Sequence, residues 1–258
     1  MIKLCAHLGY QFQEFPPDER IARAAQAGFK AVEWPNPYAF SPRQLRQMLD
    51  DHGVGWVQVT LPGGDTAKGE KGLAALPGRE REFDANLDQA IDYAIALGAK
   101  WIHPMSGTVP DWEAPGVRQT YLRNVERCAR SAADHGLGLL IEVINEQEVP
   151  GYAMCRYERA REVFNALGGA PRLILDAYHA QNLTGDAIGL ARQWAGAIGH
   201  VQIADVPGRH EPGTGALNFE AFFAELERGG YDGWVGCEYR PATTTLEGLH
   251  HLQRFLDL

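Results

Sequence analysis

One pattern repeats along this chain and restricts what it can fold into. A short apolar run is followed by a turn and then by a stretch with helical spacing, eight times over. The apolar runs cover residues 2–7, 30–34, 55–61, 100–105, 138–143, 172–176, 199–204 and 233–238. The intervening stretches 18–27, 41–52, 79–97, 118–135, 157–167, 185–193, 219–227 and 245–255 read as helices. Their ends carry stop and start chemistry: Gly28 and Gly98 fall where C′ glycines belong, and Ser41-Pro42 is an N-cap followed by proline at the first helical position. In the stretch 79–97, Phe83, Leu87, Ile91, Ala94 and Ile95 are read as one apolar face. The 258 residues divided by eight units give about 32 per unit, near the roughly 30 of a strand–helix repeat. The expectation is a (β/α)8 TIM barrel filling residues 1–258 as a single domain, since no linker or shift in composition divides the chain. A doubly wound open sheet is the competing architecture. It calls for a glycine-rich phosphate turn after the first strand, where this chain has HLGYQFQEF at 7–15.

Composition narrows the partners. The 24 basic and 33 acidic residues leave a formal charge of −9, which argues against binding a phosphate backbone through a basic face. No apolar run approaches the roughly 20 residues of a membrane span, and Lys3 and Glu14 interrupt anything resembling a signal peptide. Cys5, Cys128, Cys155 and Cys237 are scattered without a CxxC pair, so they read as reduced thiols and the location as cytoplasmic. The partner expected is a small molecule; homo-oligomer formation is left open.

In a barrel of this kind the C-terminal strand ends point into the mouth where chemistry occurs. The last four strands place Glu142 in LLIEVIN, Asp176 in LILDAYH, Gln202 in HVQIAD and Glu238 in VGCEYR. Each is an acid or amide inside an apolar run. Three carboxylates converging in a buried site repel one another unless a cation joins them. Three carboxylates and an amide oxygen are hard ligands, suited to Mg²⁺ or Mn²⁺ ahead of Zn²⁺ or Co²⁺. At the same rim lie His103, His179, Arg209 and His210 as substrate-binding candidates, with Arg209 suited to clamp a carboxylate through its fork of donors. The irregular segment 62–78, rich in Gly and Pro, carries Lys68 as a further candidate and reads either as a lid or as a solvated turn.

These residues carry a family likeness. The chain resembles the hydroxypyruvate isomerase family of xylose isomerase-like barrels in GEKGLAALPGRE at 69–80, LLIEVIN at 139–145, LDAYHAQ at 175–181, HVQIADVPGRHEPGTG at 200–215 and YDGWVGCEYRPA at 231–242. It departs from the family at His7, where the family carries Asn, and in VEWPNPY at 32–38, which is more apolar in the family. The resemblance implies that Glu142, Asp176, Gln202 and Glu238 hold the metal, and that Glu142 and Glu238 are also the acid–base pair. It implies isomerisation of hydroxypyruvate to 2-hydroxy-3-oxopropanoate (tartronate semialdehyde) through an enediolate. A longer 2-oxo-tetronate is the nearest alternative, then a ketose epimerase, in which His commonly stands at the position of Gln202. Phosphodiester hydrolysis requires more histidine ligands and a basic face. A non-catalytic sugar-acid sensor does not need both glutamates.

Overall fold

A computed structural model describes residues 2–253. They form two compact units, one made of the residues up to Val57 together with those from Leu173 onward, the other of Gln58–Arg172. Along the first stretch run β1 (Lys3–His7), α1 (Arg20–Gln26), β2 (Ala31–Glu33), α2 (Pro42–His52) and β3 (Gly55–Trp56). The second unit holds β4 (Gln58–Thr60), α3 (Glu80–Leu97), β5 (Trp101–His103), α4 (Val117–Asp134), β6 (Gly138–Glu142) and α5 (Tyr157–Ala166). The chain then returns through β7 (Pro171–Asp176), α6 (Ala177–Thr184), α7 (Ala187–Gln193), β8 (Ile198–Gln202), α8 (Phe219–Arg228), β9 (Trp234–Cys237) and α9 (Thr245–Gly248). The strands of the first unit lie in the order β3-β2-β1-β9-β8-β7 and those of the second in the order β6-β5-β4. Pairing within each is parallel. Parallel pairing follows from the alternation itself, because each strand reaches its neighbour through a helical crossover.

Local chemistry accounts for the element ends. Ser41 caps α2 with a reciprocal box: its hydroxyl accepts from Gln44 N at 3.3 Å, and its own N–H donates to Gln44 Oε1 at 2.9 Å. Gly53 ends that helix at φ 63°, a conformation costly for any residue with a Cβ. In α3 the buried side chains are Phe83, Leu87, Ala90, Ile91, Tyr93, Ala94 and Leu97, whereas Ile95 is 54% exposed. This corrects the expected face. At about 100° per residue, Ile95 falls about 40° past Ile91, outside the buried arc.

Three further expectations change. The run 55–61 is two strands, because β3 pairs with β2 and β4 with β5, and the chain changes partner at Val57. Residues 177–184, read as rim loop, form α6. The expected helix 245–255 is one turn of α-helix that tightens into a 3-10 turn at Leu249–His251, with residues 254–255 outside those described.

Segment 62–78 is pinned over much of its length. Asn86 Nδ2 donates to Pro62 O at 3.0 Å, and Gly72 forms an antiparallel bridge with Ser106. Gly107 N donates to Lys71 O at 3.0 Å, and Asn124 Nδ2 to Ala74 O at 2.9 Å. Gly72 sits at φ 104°, and a Cβ there would lie 2.1 Å from Met105 O, so only glycine fits. Among the described residues no helix is long and apolar enough to cross a membrane. All four cysteines are free and buried.

Candidate active site

In the first unit, strand register gathers the polar side chains. Asp176 of β7 is in register with Gln202 of β8, Gln202 with Gly236 of β9, and Gly236 with Cys5 of β1. Residues in register on parallel strands face the same side, and alternation by two adds His7 beyond Cys5. His7 in turn is in register with Glu33 at the end of β2. Glu238 follows Gly236 by two, just past β9.

Asp176 ends its strand and starts a helix. Its Oδ1 accepts from Tyr178 N at 2.7 Å and from His179 N at 3.3 Å, capping α6. Its Oδ2 lies 3.4 Å from His179 Nε2 and 3.4 Å from Arg209 Nη2. His179 is thus held on the first turn of α6, against the aspartate that caps it. The same guanidinium nitrogen of Arg209 lies 3.3 Å from Glu238 Oε1, which also faces His7 Nε2 at 3.5 Å. Burial pushes the Glu238 carboxyl up to about 8, with Asp176 and Glu33 adding to the rise and Arg209 opposing it. Burial lowers His7 to about 4, so at neutral pH its ring is uncharged and its contact with Glu238 is dipolar.

Arg209 is 4% exposed and lies between the rings of Tyr10 and Tyr178, with its guanidinium carbon 5.0 Å from each ring centre. Its backbone is left-handed at φ 56°. The loop supporting that strain is organised by Asp205. The Asp205 carboxylate accepts from Val206 N, Gly213 N and Gly215 N at 2.8 Å each and from Leu217 N at 3.0 Å. Arg209 N donates to Asp205 O at 2.9 Å, and Arg240 N to Arg209 O at 2.8 Å. His210 sits at the edge of this loop with Nδ1 2.8 Å from Arg240 O.

The Gln202 amide is buried. Its Nε2 donates to Glu33 Oε1 at 3.2 Å, and Glu33 Oε2 lies 2.8 Å from His200 Nε2. Gln202 Oε1 and Glu238 Oε2 are buried without a hydrogen-bond partner among the described residues. Two unpartnered buried acceptors, with Asp176 in register with Gln202, form a hard, oxygen-rich donor set that fits a divalent cation.

In the second unit, Thr60 and His103 are in register at the ends of β4 and β5. His103 Nε2 lies 3.8 Å from Glu142 Oε2, and both side chains are buried. Lys68 stands apart. Its side chain is 79% exposed and its ammonium pairs with Asp65 at 2.9 Å, on a 3-10 turn at Thr66–Lys68.

The structure therefore brings Asp176, His179, Gln202, Arg209 and Glu238 together in the first unit, with His210 beside them. It pairs His103 with Glu142 in the second and leaves Lys68 in solvent. Sequence reasoning missed Glu33, His200, Tyr10 and Tyr178. Glu33 carries the same signal, an acid inside an apolar run (AVEW), but on the second strand rather than one of the last four.

The family of xylose isomerase-like TIM barrels matches residues 21–255, which span both units. A 2-oxo-tetronate isomerase of Cupriavidus necator is 42% identical, covering 99% of this chain and 99% of its own. A hydroxypyruvate isomerase of Escherichia coli is 37% identical over 99% of this chain and 100% of its own. Among solved structures, a Brucella melitensis protein described as an AP endonuclease of family 2 superposes with a TM-score of 0.95 at 39% identity, covering 100% of both chains.

Proposed function

We propose, for a chain that belongs to the xylose isomerase-like TIM barrel family and is an isomerase of small hydroxy-oxo acids, that its substrate is hydroxypyruvate, converted to 2-hydroxy-3-oxopropanoate. The observation that carries this reading is the geometry of Glu238, with Oε1 3.3 Å from Arg209 Nη2 and Oε2 buried without a hydrogen-bond partner among the described residues, at the end of an apolar strand beside Asp176 and Gln202. A buried carboxylate held within reach of a carbon acid is suited to take up and return its proton. In this reading the whole chain is one barrel. Asp176, Gln202 and Glu238 hold a divalent cation, Mg²⁺ or Mn²⁺. Glu142 completes the set, on the strength of its position at the end of β6 and of the family fold. When bound, such a cation polarises the carbonyl and neighbouring hydroxyl oxygens and so acidifies the carbon-bound hydrogen.

The chain's own groups do the rest. One of Glu142 and Glu238 removes the proton from the hydroxyl-bearing carbon, leaving an enediolate. A carboxylic acid of the same pair delivers a proton to the adjacent carbon, while the proton of the former hydroxyl passes to the former carbonyl oxygen and the carbonyl re-forms on the former hydroxyl carbon. The proton count of substrate and product is equal, and no redox cofactor takes part. The Arg209 guanidinium places positive charge beside Asp176 and Glu238, and its fork of donors is the natural grip for the substrate carboxylate. His179, on the first turn of α6, and His103, at the end of β5, serve in this reading as hydrogen-bonding groups.

One second reading has its own support. The higher identity to the 2-oxo-tetronate isomerase favours a substrate one carbon longer with the same reacting atoms. Proton NMR of the metal-supplied protein in D₂O tests both readings. Hydroxypyruvate and a 2-oxo-tetronate are supplied in turn, and appearance of the isomer together with deuterium at the reacting carbon is read. Turnover of the longer acid alone assigns the second substrate. Turnover of neither overturns the reaction class.

A further inference from the structure

A glutamine is an awkward ligand because the two ends of its amide have nearly the same shape and opposite chemistry. The oxygen serves a cation or accepts a hydrogen bond; the NH₂ repels the one and cannot do the other. Shape alone does not select between them, so a site built on the Gln202 oxygen needs a neighbour that does.

Glu33 is placed to do so. Its Oε1 accepts from Gln202 Nε2 at 3.2 Å, and its Oε2 is engaged by His200 Nε2 at 2.8 Å. A carboxylate held in this way accepts on both oxygens, so it takes the NH₂ end of the amide and leaves Gln202 Oε1 turned away and unpartnered. Glu33 belongs to β2 and Gln202 to β8, with β1 and β9 between them, so the contact requires an opening across the row. Gly236 of β9 supplies it. A Cβ there would lie 1.9 Å from Glu33 Oε1 and 3.2 Å from Gln202 Cγ, and the residue is not in the left-handed region that would otherwise call for glycine. Cys5 lies below, with its sulfur and the ligating atoms of Glu33 and His200 all within 4.8 Å of one another and every residue buried. Glu33, His200 and Gln202 are each no more than 3% exposed, so water does not compete for the amide.

We infer that Glu33, backed by His200 and admitted by the missing side chain of Gly236, is a positioning residue that fixes which end of the Gln202 amide faces the site. The inference rests on the reading of Gln202 as an oxygen ligand. Partners that orient a ligand in this way are commonly worth 10–100-fold in metal affinity.

The test titrates Mn²⁺ into metal-free protein by calorimetry, with the electron paramagnetic resonance of bound Mn²⁺ as a second readout. Glu33→Met keeps length and removes the acceptor. It is expected to weaken Mn²⁺ binding about 10–100-fold and to add nothing in a Gln202→Ala background. Gln202→Glu combined with Glu33→Met is expected to restore affinity to within a few-fold of wild type, because a carboxylate presents an oxygen whichever way it turns. A merely structural role for Glu33 predicts no such rescue. If Glu33→Met does not fold, Gly236→Ala, which pushes the Glu33 carboxylate aside, takes its place with the same expectations. Wild-type affinity in the variant that disturbs Glu33, alongside weakened binding in Gln202→Ala, overturns the positioning role. So does a loss that persists undiminished in the Gln202→Ala background. Wild-type affinity in Gln202→Ala instead removes Gln202 from the ligand set and overturns the reading beneath it.

Discussion

Asp205 makes a sharp test of how the loop carrying Arg209 is held. Its two oxygens divide the work. Oδ1 serves Val206 N and Leu217 N on the buried side, while Oδ2 serves Gly213 N and Gly215 N, which belong to exposed residues. Asp205→Asn retains one oxygen, and the side chain is expected to keep it toward the buried pair. Its NH₂ then faces two glycine N–H donors, so two charge-assisted bonds are lost. Bonds to charged groups are worth about 1.5–3 kcal/mol each, and water can reach the freed donors, so the net cost is about 2–3 kcal/mol. Asp205→Ala strands the buried pair as well, at about 1–3 kcal/mol each, for a total of about 4–9 kcal/mol. For a chain of this size the asparagine variant should melt about 5–10 °C lower and the alanine variant lower still, by calorimetry at matched pH. Because Arg209 N donates to Asp205 O, the loss should reach the site, and KM for a hydroxy-oxo acid should rise in Asp205→Asn even where the protein is fully folded. An asparagine variant that melts within 1 °C of wild type, or melts lower with unchanged KM, refutes the reasoning on the hub or on its link to Arg209 respectively.

Chelator-treated protein should lose turnover and regain it with Mg²⁺ or Mn²⁺; full activity in protein shown metal-free by elemental analysis counts against the cation. Glu238→Gln and Glu142→Gln should each still bind some metal but lower kcat about 10²–10⁴-fold, with metal content measured on the same sample, and the double variant should be little worse than either, since one broken proton transfer already stops the cycle. Glu238 binds its proton more tightly in the fold than unfolded. Its contribution to metal-free stability is therefore complete below 4.5 and lost as pH rises through about 8. A cation must expel that proton, so Mn²⁺ affinity measured by calorimetry should climb with pH and level off above about 8, with proton release in the lower range. Arg209→Ala should raise KM for the hydroxy-oxo acid by about tenfold or more, from loss of about 1.5–3 kcal/mol, with far less effect on a neutral sugar. Removing that positive charge should also move the rising limb of Mn²⁺ affinity to higher pH, because Arg209 opposes the upward shift of Glu238.

The alternation of strand and helix was legible because each period is local. A run such as LLIE or LILD is apolar on both faces whatever it packs against, and Ser41, Gly53 and Gly98 act through their own backbone. The strand-end residues Asp176, Gln202 and Glu238 were legible for a related reason: a polar group inside an apolar run needs a partner, so its presence marks a site before the partner is known. Where sequence spacing misled, the cause was local as well. Ile95 fits a helical spacing but lies just beyond the buried arc, and 177–184 reads as loop until Asp176 caps it into a helix.

The partners themselves came only from tertiary structure. Glu33 meets Gln202 across β1 and β9, and His7 meets Glu238, through strand register and the open position at Gly236, neither of which appears in any local period. Arg209, read from sequence as a clamp for substrate, is found bridging Asp176 and Glu238 between two tyrosine rings, on a left-handed backbone held by Asp205. Periodicity is a property of neighbours along the chain, and it specifies the elements. Hydrogen-bond direction, burial and proton affinity are properties of neighbours in space, and they exist only once the strands have taken their register.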